Sequence, residues 1–203
     1  MSLAMNPIPT TAAAHAAALS LVLSLAACGG GGGESDEEKI ETTIEAAATS
    51  TDPANCAKYS TLNFMEQTSP GQSGDPEKSC EEEAEDAEGQ ADSVTVSGVE
   101  VEGEEASADV AFEGGNLDGQ TVTVALVEEG GQWKLNELTG FAKLDAEKLI
   151  AALIEQFRAK AAVQDQVLTC VAEGLRELDQ SQFEALVIER ESQPIAEIAE
   201  SCE

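Results

Sequence analysis

Residues 93–138 read SVTVSGVEVEGEEASADVAFEGGNLDGQTVTVALVEEGGQWKLNEL. Apolar side chains stand at every second position through most of this stretch, the period of a strand with one covered face. Val94 and Val96 set the phase, it slips at Gly98, and Val99 and Val101 resume it, which predicts a bulge that bends the first strand. Ala106, Ala108, Val110 and Phe112 then share one face, followed by Val122, Val124 and Leu126, and by Trp133 and Leu135. Gly103, the loop EGGNLDG and the tight turn EEGGQ separate these runs. The pattern predicts a four-stranded antiparallel meander with one apolar face, and such a face requires cover.

Helical patterns stand on both sides. Upstream, Ser35 and Glu38 have the spacing of a capping box, and Ile40, Ile44, Ala47 and Ala48 form a stripe on the helix that follows, to about Thr49. Asp52-Pro53 reads as a cap with a proline in the first helical position, opening a short helix that carries Cys56 and leads to Leu62, Phe64 and Met65. QTSPGQSGDPEKS is a loop by composition, and CEEEAEDAEG, starting at Cys80, a short solvated helix. These upstream helices are the expected lid of the sheet. Downstream, Asp145 caps a stripe of Leu149, Ile150, Leu153, Ile154 and Phe157 that continues through Ala161, Leu168, Val171, Leu175 and Leu178, with a break or kink at Gln164. Ser181 and Glu184 suggest a second capping box, opening a helix that bears Phe183, Leu186 and Val187, and Pro194 opens a last helix ending at Cys202. The fold class expected is therefore α+β: N-terminal helices packed on a curved four-stranded antiparallel meander, then a small C-terminal helical region.

Helices, a cysteine-linked loop and then a curved meander, with VSGVEVEGEEASADVAF followed by GQTVTVALVEEGGQWKLNEL, resemble the nuclear transport factor 2-like superfamily, in particular its small bacterial lipoprotein members. The resemblance covers about Glu34 to Phe141. It implies a cone-shaped α+β fold with a pocket inside the sheet, in a superfamily that includes ketosteroid isomerases, epoxide hydrolases and polyketide cyclases as well as binding modules. Fold alone therefore does not choose between catalysis and binding.

The N-terminus speaks to location. From Ala12 to Ala27 the chain is nearly all Ala, Leu and Val, too short to span a bilayer and suited to an export signal. Leu25-Ala26-Ala27-Cys28 resembles the bacterial lipobox, in which the cysteine sulfur takes a diacylglyceryl group. One departure is the lack of Lys or Arg before Ala12, where export signals normally carry positive charge. Gly29 to Gly33 reads as a flexible tether. The organisation expected is a lipoprotein signal peptide at 1–27, a lipid-anchored tether at 28–38, the α+β domain at 39–141 and a helical C-terminal region at 142–203. Cys28 is the expected lipidation site, anchoring the protein to the outer face of the bacterial cell membrane.

Composition narrows the partners and the chemistry. All 40 acids and 10 bases follow the signal segment, leaving a net charge of −30 that opposes binding to nucleic acid. With Cys28 assigned to lipid, Cys56, Cys80, Cys170 and Cys202 remain, an even number suited to an oxidising compartment. Three pairings are open. Cys56 with Cys80 and Cys170 with Cys202 is favoured, because each pair then stays within one region. A metal centre is not expected: there is no CxxC, and His15, the only histidine, precedes Cys28. The acids Glu81, Glu82, Glu83, Glu85, Asp86 and Glu88 lack the spacing and glycine of a calcium loop and read as a solvated face. Strand phase gives no inward acid, Asp109 falling on the outer side, and Tyr59 reads as a half-buried helix residue. No cofactor is implied. The function expected is a non-catalytic module for an apolar small molecule or an envelope protein; the alternative is a cone-fold enzyme using a pocket carboxylate that the strand phase does not reveal.

Overall fold

The computed structural model describes residues 34–69, 74–86, 89–160 and 164–202. The expected signal segment, Cys28 and the expected glycine tether lie outside them. Glu34–Glu203 forms one compact unit.

Four strands, β1 (Ser93–Glu102), β2 (Glu105–Glu113), β3 (Thr121–Glu129) and β4 (Gln132–Lys143), form one antiparallel sheet in sequence order. The β1–β2 register breaks between Ser97 and Glu100, around the slip seen in the sequence at Gly98. Gly130 and Gly131, at φ 63° and 85°, make the two-residue turn into β4, which requires left-handed backbone at both positions. Val110, Val124, Leu126 and Trp133 are at most 2% exposed on the inner face. On the other face Asp109 is half-buried, its carboxylate accepting a hydrogen bond from Thr123 Oγ1 at 2.7 Å.

Helix α1 (Asp36–Thr49) starts at the expected box: Ser35 N donates to Glu38 Oε2 at 2.8 Å, and Glu38 N to Ser35 Oγ at 3.2 Å. It touches both edge strands, β1 and β4, so the sheet curls around it. Ile40 and Ile44 enter a core with Ala106, Ala108, Val110, Val124, Leu126, Trp133 and Leu135. Each isoleucine contributes about 1.5–3 kcal/mol by leaving water. Thr43, buried beside them, donates from Oγ1 to the Trp133 carbonyl.

The next helix, α2 (Asn55–Tyr59), begins later than Pro53. Asp52 Oδ1 accepts from Ala54 N at 3.0 Å, so Asp52-Pro53 forms a turn ahead of the helix, in place of its cap and first residue. Then come α3 (Leu62–Thr68), capped by Thr61, and α4 (Pro76–Asp86). A disulfide joins Cys56 of α2 to Cys80 of α4, with Cα atoms 6.0 Å apart.

Among the described residues four helices follow the sheet: α5 (Ala146–Lys160), α6 (Asp165–Leu175), α7 (Gln180–Val187) and α8 (Gln193–Ser201). Gln164 stands at the N-cap of α6, dividing the long apolar stripe. The capping box of α7 is made by Asp179 and Gln182, two residues before the Ser181–Glu184 pair suggested by the sequence. Glu184 is committed elsewhere, accepting from Phe141 N at 3.1 Å and Gln180 Nε2 at 3.0 Å. At Gly174 the α6 backbone meets Ile198 of α8 so closely that a Cβ there would lie 2.6 Å from its Cγ2. A second disulfide, Cys170–Cys202, ties the same pair of elements.

These C-terminal helices share the cover of the sheet with the upstream ones. Val122 and Phe141 are buried with Leu149, Ile150, Val171, Leu175, Phe183 and Ile188, while Phe112 and Leu138 touch both cores. Gln120, 1% exposed, accepts from Asp145 N at 2.7 Å and donates to Asp145 O at 3.1 Å, pinning the start of α5 to the start of β3. The outer edge of β4 is closed by side chains: Asn63 donates to Asn136 O, Gln67 bonds both N and O of Leu138, and Gln180 and Glu184 bond O and N of Phe141. Backbone groups that would template a further strand are thereby satisfied.

Candidate functional site

The concave side of the sheet is not completely filled. A cavity of about 250 Å³ lies between β2, β3 and β4 on one side and α1 to α4 on the other. Its apolar wall comes from Ile44 and Ala47 of α1, Phe64 of α3, Val110 and Phe112 of β2, Val124 of β3, and Leu135 and Leu138 of β4. This composition follows from the two periodicities: alternate strand residues face in, and one stripe of α1 faces them. Cys56 and Cys80 also line it, so their disulfide forms part of the wall.

Polar groups gather at the side where α2, α4 and the loop before β1 meet. Asn55, Ser60, Ser69, Asn116 and Gln90 reach the cavity. Gln90 Oε1 is buried with no hydrogen-bond partner. Two acids, Asp52 and Glu83, also line it, and both are exposed side chains, on the rim. Glu83 Oε2 accepts from Ser69 Oγ at 2.7 Å. Arg190, at φ 58°, donates to the carbonyls of Gln67 and Thr68 at the end of α3 and faces Glu83 electrostatically. No lysine, arginine or histidine lines the cavity among the described residues.

The buried polar side chains are Thr43, Ser60, Ser69, Ser79 and Gln120 among the described residues, so no buried carboxylate stands in this cavity. A base poised near neutral pH needs its proton affinity raised. The carboxylates that the structure perturbs move the other way. Glu184 is held low by Gln180 and the Phe141 N–H, Asp118 by the Gly114 N–H and then Lys148, and Asp36 by Lys39 and then the Trp133 indole. The Trp133 N–H lies near Asp36 without closing a hydrogen bond to it.

Of the residues singled out in sequence, Cys56 and Cys80 meet in the cavity wall, whereas Cys170 and Cys202 bond in the helical region and do not line it. Tyr59 is half-buried in α2, under the Lys58 ammonium 4.5 Å from its ring centroid, and is not on the cavity wall. Cys28 lies outside the described residues. Gln90, Asp52 and Glu83 carry no signal in strand phase because they sit on loops and a helix rim. A wider hollow of about 430 Å³ near the β1–β2 turn is bordered by Glu100, Glu102 and Glu105 and lacks an apolar floor of comparable size. Among the described residues no cluster of three or more His, Cys, Asp or Glu is arranged to hold a metal ion, and no helix is long and apolar enough to cross a membrane. The chain matches no protein-family model, no curated protein and no solved structure.

Proposed function

We propose that this chain is an exported bacterial lipoprotein, held at the outer face of the cell membrane through Cys28, whose cavity binds an apolar molecule without transforming it. The observation that carries the reading is the cavity: an apolar interior with its carboxylates on the exposed rim. Such a lining recognises shape and apolar surface, and it supplies no desolvated acid or base. The resemblance of the strand sequence to the nuclear transport factor 2-like superfamily, which includes binding modules, is a second support for the reading. At about 250 Å³ the space lies just below the usual range of small-molecule sites, which favours a short chain or a single ring over a large lipid. The net charge of −30 disfavours nucleic acid as a partner.

The anchor has its own test. Metabolic labelling with a fatty acid should mark the wild-type protein and fail on Cys28→Ser, which should also leave the membrane fraction. Labelling that persists in Cys28→Ser would overturn the lipoprotein half of the reading.

A second reading, catalysis, is favoured by one contact, Glu83 beside Ser69 on the rim. It requires turnover that disappears in Glu83→Gln. The binding reading expects no hydrolase, isomerase or dehydratase activity on lipid-like or cyclic substrates in either protein.

A further inference from the structure

The two edges of the sheet are finished differently. Side chains of Asn63, Gln67, Gln180 and Glu184 close the outer edge of β4, whereas β1, the opposite edge, carries no such cover among the described residues. Phe112 of β2 spends both backbone groups on the β3 side, its N–H donating to Gln120 O and its carbonyl accepting from Gly119 N. Its register partner Val94 therefore turns its own N–H and C=O away from β2, to the open side. Alternation gives Val96 the same orientation and, past the bulge, Val101, which stands opposite Ala106. These outward backbone groups meet no hydrogen-bond partner among the described residues.

The side chains of this edge select what can pair with it. Neither β1 nor β2 contains a lysine or arginine. Glu102 stands directly opposite Glu105, Glu100 shares their face, and all three are exposed and outside the ion pairs of the described residues. Like charges across a ladder repel, and a basic side chain on an adjoining strand relieves that repulsion. The other face of the same edge is apolar: Val101 is 41% exposed beside buried Ala106. A second copy of this chain is a poor occupant, since each brings a net charge of −30 and the same edge acids.

We propose that the free edge of β1 accepts, as an added strand, an extended segment of a cationic protein partner in which basic residues alternate with apolar ones. The segment's backbone pairs with Val94, Val96 and Val101, its basic side chains lie along Glu100 and Glu102, and its apolar ones cover Val101. No residue of β1 lines the cavity, so this docking is independent of ligand binding there.

The test uses the full chain carrying Cys28→Ser, with both disulfides formed, and a fluorescently labelled octapeptide of alternating Val and Lys, capped at both ends. Anisotropy at physiological ionic strength gives the affinity, and amide exchange followed by NMR locates the contact. Saturating peptide should protect the amides of Val94, Val96 and Val101, which exchange fast in the free protein, while those of Thr95 and Ser97 are slow in both. Methylating the peptide's alternate backbone nitrogens on the pairing side should abolish binding without any change to the protein. Val101→Pro, which removes one outward N–H at an exposed position, should weaken binding about tenfold, and Val101→Thr should not. Glu100→Gln/Glu102→Gln should weaken it about fivefold, the scale of two exposed ion pairs. Absence of binding, or binding without the alternating protection, would overturn strand addition, as would equal affinity for a peptide with its valines and lysines in separate blocks. Equal affinity for a Val–Glu peptide would overturn the choice of a cationic partner. A dimer with the same three amides protected in the absence of peptide would show that a second copy is the occupant and overturn the proposal.

Discussion

Replacing Cys56 and Cys80 together by serine should cost about 3–4 kcal/mol of folding stability and abolish ligand binding in the cavity. The chain-entropy argument gives the stability figure for a bridge closing 24 residues of sequence. The bridge does more than limit the unfolded chain, because it holds α2 against α4 and both sulfurs line the cavity. The second bridge, Cys170–Cys202, closes 32 residues and so contributes a similar stability, but it ties α6 to the end of α8, away from the cavity. Denaturant midpoints should therefore fall by similar amounts in the two double variants, while dye binding is lost only in Cys56→Ser/Cys80→Ser. Loss of binding in both, measured where each remains folded, would mean that the cavity depends on the whole fold and not on this wall.

Trp133→Ala should cost about 3–5 kcal/mol, the range for emptying a large aromatic from a close-packed core. Trp133 is fully buried in the cluster that joins α1 to the sheet, and its carbonyl holds Thr43. Against a typical domain stability of about 5–15 kcal/mol, that loss brings the protein close to unfolding. Trp133→Phe should be much milder, since it retains most of the apolar contact and removes an indole N–H that has no hydrogen-bond partner. Urea titration of both variants checks the ordering. A phenylalanine variant as unstable as the alanine one would show that the indole N–H is better satisfied, by Asp36, than the geometry indicates.

The strands were legible because their signal is local. Alternation from Val94 to Leu135, broken only by glycine turns and one slip, leaves little freedom of register when one face must be covered. The Ser35–Glu38 box was legible for the same reason, since both partners lie within one turn. Contacts set by three-dimensional packing were not. Asp179 took the cap of α7 because Glu184, free in the sequence, is drawn to the edge of β4 by Phe141. Gln120 and Gln67 look like ordinary surface glutamines, yet each satisfies backbone groups of a distant element, and a lone polar residue carries no period that announces such a role. Val122 belongs to the strand pattern, but nothing in that pattern says that C-terminal helices rather than α1 will cover it. The cavity shares this limit: its wall was readable from strand phase and the α1 stripe, whereas the rim acids and Gln90 arrive from α4 and from connecting loops.

Whether the space under the sheet is a binding site is tested most directly by filling it. Ala47 is on the cavity wall and only partly buried, so Ala47→Trp places an indole in the space with little disturbance of the core behind it. Titration of a neutral apolar dye, followed by dye emission because Trp133 is not on the cavity wall, compares this variant with wild type. The account predicts saturable one-to-one binding to wild type and at least a tenfold loss in Ala47→Trp with the thermal midpoint nearly unchanged. Equal dye affinity in the two proteins, both folded, would contradict it.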